Sequence, residues 1–193
     1  MMGKARLEAF SDGVLATIIT IMVLELKVPE SAHLEALRPL VPKLIAYLLS
    51  FIYIGIYWNN HHHLLHTVKK VDGWIMWGNM HLLFWLSLVP FTTGWIGDTE
   101  AALWPTVAYG AMLFMSGIAW LLLQRAIVVS DPGESTLRRA IGDDWKGKLS
   151  GISYGAAIAL AFVDTRISVA IYIAIAFSWL IPDRRITRAV EHE

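Results

Sequence analysis

Two short polar segments hold the side chains that could do chemistry in this chain. Asp12, Thr17 and Thr20 lie near the N-terminus inside a run of apolar residues. The second segment is Trp58-Asn59-Asn60-His61-His62-His63, with His66 after it. A carboxylate in an apolar environment requires a partner because an unpaired charge is costly there. Imidazole nitrogens bind transition metals, form hydrogen bonds or change charge near neutral pH.

The first segment has two distinct sides if it is helical. At 100° per residue, Thr17 and Leu24 share one face with Thr20 or Ile21, and Asp12 lies about 140° from Thr17. One face therefore mixes hydroxyl and apolar groups, and another carries an acid that a neighbour must satisfy. The alternative is that both threonines bond back to carbonyls of their own helix and that Asp12 caps the helix start.

The second segment is open to three interpretations. His62 and His66 are four residues apart and His63 and His66 are three apart, so either pair could share a metal on a helix. No acid accompanies them, and the chain contains no cysteine. Asparagine and histidine also suit buried hydrogen bonds to Ser11 and Asp12, which favours a structural cluster over a metal site. Titration of the histidines is the third interpretation.

The other polar residues indicate no enzyme. The sequence has no Gly-rich phosphate loop and no nucleophile paired with a base at a recognisable spacing. His81 stands alone in an apolar run, as a hydrogen-bonded interior histidine would. Glu25 is either a solvated helix end or a group that attracts cations at a pore mouth. Ala108-Tyr109-Gly110 lacks a preceding Thr-Val-Gly, so a potassium filter built from loop carbonyls is absent.

Long apolar runs must position these residues. The chain is 56% hydrophobic and 17% charged, whereas soluble domains have about 45–50% and about 25%. Crossing a bilayer takes roughly 17–25 mostly apolar residues. The sequence therefore predicts an all-α polytopic membrane protein in which residues 1–193 form one domain. We expect its six transmembrane helices at about 7–27, 43–66, 73–96, 101–124, 149–163 and 167–181.

The flanks of these runs predict how the chain is oriented. The first run ends at Glu25-Leu26-Lys27 and not at a small-residue cleavage site, so we interpret it as a retained helix. The last two runs are short enough to form a re-entrant hairpin, although their charged flanks favour two crossings. Six crossings leave Lys27, Arg38, Lys43 and Arg166 on one side and the other twelve of the 16 basic residues on the side of the termini. Both termini are therefore predicted to be cytoplasmic.

The opening motif resembles a known family. Arg6-x-x-x-Phe10-Ser11-Asp12, followed by an Ile/Leu/Thr-rich run to Leu24-Glu25-Leu26, is similar to the first helix of the bacterial relatives of the lysosomal and endosomal potassium channel. That family is marked by an Arg-x-x-x-Phe-Ser-Asp motif. Trp58 and the histidines after it resemble the second-helix motif of the family.

The resemblance implies a homotetramer of six-helix subunits without a conventional filter. Helix one of each subunit would line the pore through Thr17, Thr20 and Leu24, with Ile21 beside them. Thr17 stands where the family usually has a bulky aliphatic constriction, so a ring of threonine hydroxyls would replace an apolar gate. The residues that the resemblance assigns to a structural motif, tying helix one to its neighbours, are Arg6, Phe10, Ser11, Asp12, Trp58, Asn59, and His62 or His63.

These observations predict a potassium-permeable, weakly selective cation channel with passive flux, in a bacterial plasma membrane. Its partners would be K⁺, membrane lipid and further copies of the chain, without a cofactor or nucleic acid. The first alternative is a membrane protein that binds metal or haem through residues 61–66. The second is a transporter or a scaffold, but transporters often carry internal repeats, and this sequence shows none.

Overall fold

The fold is entirely helical in the part of the chain that the structure describes. The computed structural model describes residues 3–29, 31–130 and 145–180. A 3₁₀ helix, Leu34–Leu40, precedes the second α-helix. The α-helices of the described ranges are α1 (Lys4–Leu24), α2 (Val41–His66), α3 (Gly73–Ser87), α4 (Val89–Asp98), α5 (Leu103–Ser130), α6 (Trp145–Leu160) and α7 (Thr165–Leu180). Because α4 begins directly after α3, these two helices count as one span, and the α-helices together form six helical spans.

Four of these spans are long and apolar enough to cross a membrane. They are Lys4–Leu24, Leu34–His66, Gly73–Asp98 and Leu103–Ser130. Helix α7 is apolar but shorter, and both α6 and α7 have 16 residues. At 1.5 Å per residue, 16 residues reach about 24 Å, a little less than the hydrocarbon thickness of about 30 Å. The prediction of an all-α membrane protein with six helical spans is confirmed.

Two of the predicted helix boundaries differ from the structure in an informative way. The predicted third helix, 73–96, is broken at Leu88, because Pro90 has no amide hydrogen to donate to the preceding turn and occupies the first turn of α4 instead. Helix α5 continues six residues past its predicted end at 124, because Arg125 is followed by the helix-compatible residues Ala126–Val129. The predicted end of the sixth helix at residue 181 lies outside the described residues.

Helix α1 packs against α2, α3 and α4, whereas α5 packs mainly against α3, α4, α6 and α7. The buried residues of α1 recur every three or four positions and so form one stripe: Leu7, Ser11, Leu15, Ile18 and Met22. Helices α2 and α4 approach closely at Gly97, where a Cβ would lie 2.9 Å from Lys43 Cα. Lys43 is buried there and its Nζ lies 2.8 Å from Asp98 Oδ1.

Buried hydroxyl groups join the outer helices to this core. Ser50 on α2 is hydrogen-bonded to Thr93 on α4 at 2.6 Å and to Tyr109 on α5 at 2.9 Å. Tyr53 on α2 donates to the carbonyl oxygen of Tyr172 on α7 at 2.6 Å. A bilayer offers no water to polar groups, so such internal partners are required. These bonds hold the helices in one packed unit behind α1.

Candidate ion pathway

Helix α1 has a free face opposite its buried stripe. Thr17, Thr20, Ile21 and Leu24 are all exposed, Ile21 at 44% and Leu24 at 75%. At 100° per residue, Thr17 and Leu24 lie within about 20° of one another and about 120–140° from the centre of the stripe. The described part of the chain therefore leaves this threonine-bearing face uncovered.

Both threonines on the free face use their hydrogens within the helix. Thr17 donates to the carbonyl oxygen of Gly13 at 2.8 Å, and Thr20 donates to that of Ala16 at 3.0 Å. This is the back-bonding that the alternative interpretation proposes. It is compatible with cation contact, because a hydroxyl that has donated its hydrogen keeps its oxygen lone pairs as acceptors. Each threonine therefore presents an electron-rich oxygen and no hydrogen.

Asp12 does not cap the helix, contrary to the other half of that interpretation. Helix α1 begins at Lys4, and Gly3 stands at the N-cap without a side-chain bond. Asp12 lies two turns further on and accepts a hydrogen bond from Trp58 Nε1 at 3.0 Å. The partner that the carboxylate requires is therefore an indole on α2.

Ser11 anchors the other side of the motif through a buried chain of hydrogen bonds. Asn79 Nδ2 on α3 donates to Ser11 Oγ at 2.9 Å, and Ser11 Oγ donates to the carbonyl oxygen of Leu7 at 2.9 Å. The amide oxygen of Asn79 is then an acceptor, so His61 Nε2, at 2.6 Å, carries the hydrogen. His61, Asn79 and Ser11 are buried, so three helices are joined through one chain of bonds.

The structure gives Ser11 a different partner from the one that the sequence suggested. Asn59 and His62 are exposed and His63 is half-buried, and in the described residues none of them bonds to the motif. The reason is helical geometry. His61 lies on the buried face of α2 with Leu64 and Leu65, whereas His62 and His63 are rotated from it by 100° and 200°.

Arg6 and Phe10 are also exposed, so they take no part in this chain of bonds within one protomer. Phe10 is 48% exposed, and its position on α1 lies on the same side as Thr17. The start of α1 is instead tied to α2 by Lys4, which donates to the carbonyl oxygen of His66 at 2.8 Å. This contact fixes the ends of the two helices relative to one another.

The histidines do not form a metal centre in the described residues. The ring of His62 lies 5.6 Å from that of His63 and 6.1 Å from that of His66, edge to face. No group of three or more histidine, aspartate or glutamate side chains in the described ranges could hold a metal ion. His81 accepts a hydrogen bond from Trp85 at 2.9 Å. Nothing in this arrangement favours the metal or haem alternative.

Asn79 is the residue that sequence reasoning missed. It lies in the third apolar run, which has no charged residue and in which His81 is the more conspicuous polar group. A lone asparagine in such a run was the available signal, because a polar amide in lipid needs a partner on another helix.

Comparison with known proteins decides the family. A family described as "Endosomal/lysosomal potassium channel TMEM175" matches residues 6–90. A protein named as a potassium channel from a Chryseobacterium species is 52% identical over 190 residues, which cover 98% of this chain and 99% of that protein. The chain belongs to the TMEM175 family. The resemblance inferred from Arg6 to Asp12 is thereby confirmed.

Other TMEM175 proteins extend this result. A crystal structure titled as a lysosomal potassium-selective channel TMEM175 homolog from Chamaesiphon minutus has a TM-score of 0.79 and 28% identity, and covers 93% of this chain and 97% of that one. The human protein is named as an endosomal/lysosomal proton channel TMEM175 and is 35% identical over 81 residues, 36% of this chain and 16% of its own length. These names describe channels and not enzymes, as the sequence predicted.

The matched region of the TMEM175 family contains the side-chain hydrogen bonds of Ser11 and Asp12 to α2 and α3. Residues 6–90 include Ser11, Asp12, Trp58, His61 and Asn79. They also include the free face of α1. The segment that defines the family is therefore the segment in which α1 is positioned against α2 and α3.

Proposed function

We propose that this chain is a potassium-permeable cation channel whose passive flux runs along the free face of α1 in a homotetramer. The observation that carries the proposal is the uncovered Thr17–Leu24 face on a helix whose opposite side is fixed by buried hydrogen bonds. A rotation axis beside this face brings four copies of it together around one path. The remaining helices then form the wall between the path and the lipid.

The side chains on this face suit a cation that keeps part of its water. Four Thr17 oxygens, each with lone pairs free, would replace some of the hydration shell of K⁺. Hydroxyl dipoles are weaker ligands than a stack of carbonyls, so the proposed preference for K⁺ over Na⁺ is weak. Leu24 would form an apolar ring about two turns further along, where a narrow pore loses its water most readily.

The names of the relatives support potassium as the permeant ion and raise the proton as a second candidate. The bacterial relatives from Chryseobacterium and Chamaesiphon are named as potassium channels, whereas the human relative is named as a proton channel. Potassium is the better choice here because the Chryseobacterium protein is similar along its full length. Liposomes that report K⁺ flux and internal pH in parallel would separate the ions. Proton flux without K⁺ flux would refute the proposal.

Thr17→Ile tests whether this position lies on the path. The substitution adds bulk and removes the hydroxyl, so we expect a single-channel conductance reduced severalfold at unchanged expression. Val23→Ile is the matched control, because Val23 is exposed on the same helix but is rotated by about 120° from Thr17. Equal currents in Thr17→Ile and wild type would remove Thr17 from the pathway.

We further propose that the protein lies in the bacterial plasma membrane with both termini in the cytoplasm. The excess of twelve basic residues over four on the side of the termini supports this orientation. Because the chain lacks cysteine, Lys27→Cys and Lys69→Cys would each carry a unique label. We expect a membrane-impermeant maleimide added to intact cells to label only the first. Labelling of the second alone would contradict the orientation.

A further inference from the structure

A surface groove runs between α3 and α5. One wall is a single face of α3 with Trp74, Trp77 and His81, at spacings of three and four residues. The other wall is the matching face of α5 with Arg125 and Val129. The groove has a volume of about 550 Å³, enough for part of a lipid-sized ligand.

Small residues form the floor of the groove. A Cβ on Gly78 would lie 3.4 Å from Leu123 Cα, so the two helices touch at this point. Ala126 lies beside it on α5. The rims are apolar and uncovered, since Trp74 is 79%, Trp77 66% and Val129 74% exposed. Exposed tryptophans at a helix end are typical of the interface between headgroups and hydrocarbon.

The charges at the end of the groove have opposite signs. Asp72 is the N-cap of α3 and accepts from the backbone N–H of Ile75 at 2.8 Å and from the hydroxyl of Ser130. These two hydrogen bonds keep the pKa of Asp72 below its ordinary value, so the group is a carboxylate at neutral pH. Arg125 is exposed and has no ion pair with any other described residue.

The polar groups follow a fixed order from the helix ends inward. Asp72 and Ser130 stand at one level because they are bonded to one another. Arg125 lies five residues back along α5, about 7 Å deeper, and His81 lies nine residues along α3, about 13 Å deeper. His81 Nε2 accepts from Trp85, so the neutral ring carries its hydrogen on Nδ1 as a donor. The order inward is thus anion, cation and neutral donor, followed by apolar wall.

We propose that the groove between α3 and α5 binds one phospholipid per chain whose headgroup carries a primary ammonium, such as phosphatidylethanolamine. The ammonium meets Asp72, the phosphate meets Arg125, an ester carbonyl meets His81, and one acyl chain lies along Trp77 and the small floor residues. This is the order of those groups in the lipid itself, which is the complementarity that selects it. The site does not depend on the proposed ion pathway, because it lies on α3 and α5.

Native mass spectrometry of the purified oligomer tests the proposal. Dioleoyl phosphatidylethanolamine, phosphatidylcholine and phosphatidylglycerol are titrated separately into detergent micelles. We expect phosphatidylethanolamine to bind at least fivefold more tightly than phosphatidylcholine, which has no N–H to donate to Asp72, and than phosphatidylglycerol, which has no cation. Equal binding of the three lipids would overturn the proposal.

Two variants test which charged side chain binds which group of the lipid. Arg125→Gln should weaken the binding of all three lipids by about tenfold, which corresponds to about 1.4 kcal/mol. Asp72→Asn should remove the preference for phosphatidylethanolamine while keeping the fold, because asparagine and aspartate are similar N-caps. Arg166→Gln, on an exposed arginine at the start of α7, is the control and should change nothing. A loss in the control equal to that in Arg125→Gln, or none in Arg125→Gln, would contradict the site.

A second copy of the chain is the competing occupant. The wild-type chain lacks cysteine, so Trp77→Cys and Val129→Cys chains each carry one thiol. When the two variants are co-expressed and oxidised, any disulfide between them must join two chains. We expect no crosslinked dimer. Efficient crosslinking would show that a neighbouring subunit fills the groove and would overturn the lipid assignment.

Discussion

The substitution Asn79→Leu tests the hydrogen bonds that hold α1 in place. Leucine has the same branched side-chain shape as asparagine, so the change removes two hydrogen bonds and leaves no cavity. One of these bonds joins Asn79 to Ser11 Oγ and the other joins it to His61 Nε2. Ser11 keeps its own bond to the carbonyl oxygen of Leu7, but no other hydrogen-bond partner of His61 Nε2 lies in the described residues.

The expected loss of unfolding free energy follows from this difference. A buried donor left without an acceptor costs about 1–3 kcal/mol. Hydrogen bonds between membrane helices have measured values averaging about 0.6 and reaching about 1.7 kcal/mol. We therefore expect Asn79→Leu to lose about 1–3 kcal/mol, most of it from the stranded His61. Equilibrium unfolding in mixed micelles, with increasing SDS as the denaturant, measures this quantity.

A double-mutant cycle identifies the cause of the loss. Replacing both partners of a buried bond with apolar groups is far less costly than replacing one. His61→Leu should therefore cost at least about 1 kcal/mol less in the Asn79→Leu background than in the wild type. Full additivity of the two changes, or a loss below about 0.5 kcal/mol for Asn79→Leu alone, would refute the reasoning.

Two further predictions concern helix contacts. Gly97→Ala should destabilise the protein by about 1–3 kcal/mol, because its Cβ would meet the backbone of Lys43 at 2.9 Å. Gly117→Ala is the matched control, with no atom within 4 Å of its Cβ, and should gain up to about 1 kcal/mol in the same unfolding assay. Trp58→Phe removes the donor to Asp12 and should lower both unfolding free energy and the yield of active channel. Full activity at unchanged stability would show that the bond has no structural role.

The helical class and the six helical spans could be predicted because long apolar runs mark them in the sequence. The break at Leu88 could not, because Pro90 lies in an otherwise continuous apolar run and membrane helices often tolerate proline. The extension of α5 to Ser130 was missed for a related reason. A charged residue ends an apolar run, but it does not end a helix.

The anchoring of α1 was predictable only in part. The motif shows that Ser11 and Asp12 need partners, since polar groups in lipid must be satisfied. The histidine that bonds to Asn79 depends on which side of α2 is buried. Before Trp58, Lys43 and Ser50 are the only strongly polar residues of α2, so the apolar periodicity of this helix does not mark a side. Asn79 is 68 residues from Ser11, and that distance is bridged only in the folded chain.

Cysteine accessibility along α1 is the most direct test of the proposed pathway. The chain has no native cysteine, so Thr17→Cys, Leu15→Cys and Val23→Cys each present one thiol to a small cationic methanethiosulfonate reagent. We predict block of the potassium current in Thr17→Cys alone, because Leu15 is 2% exposed and Val23 lies on another face. Block at Val23 without block at Thr17 would show that a different face of α1 lines the path.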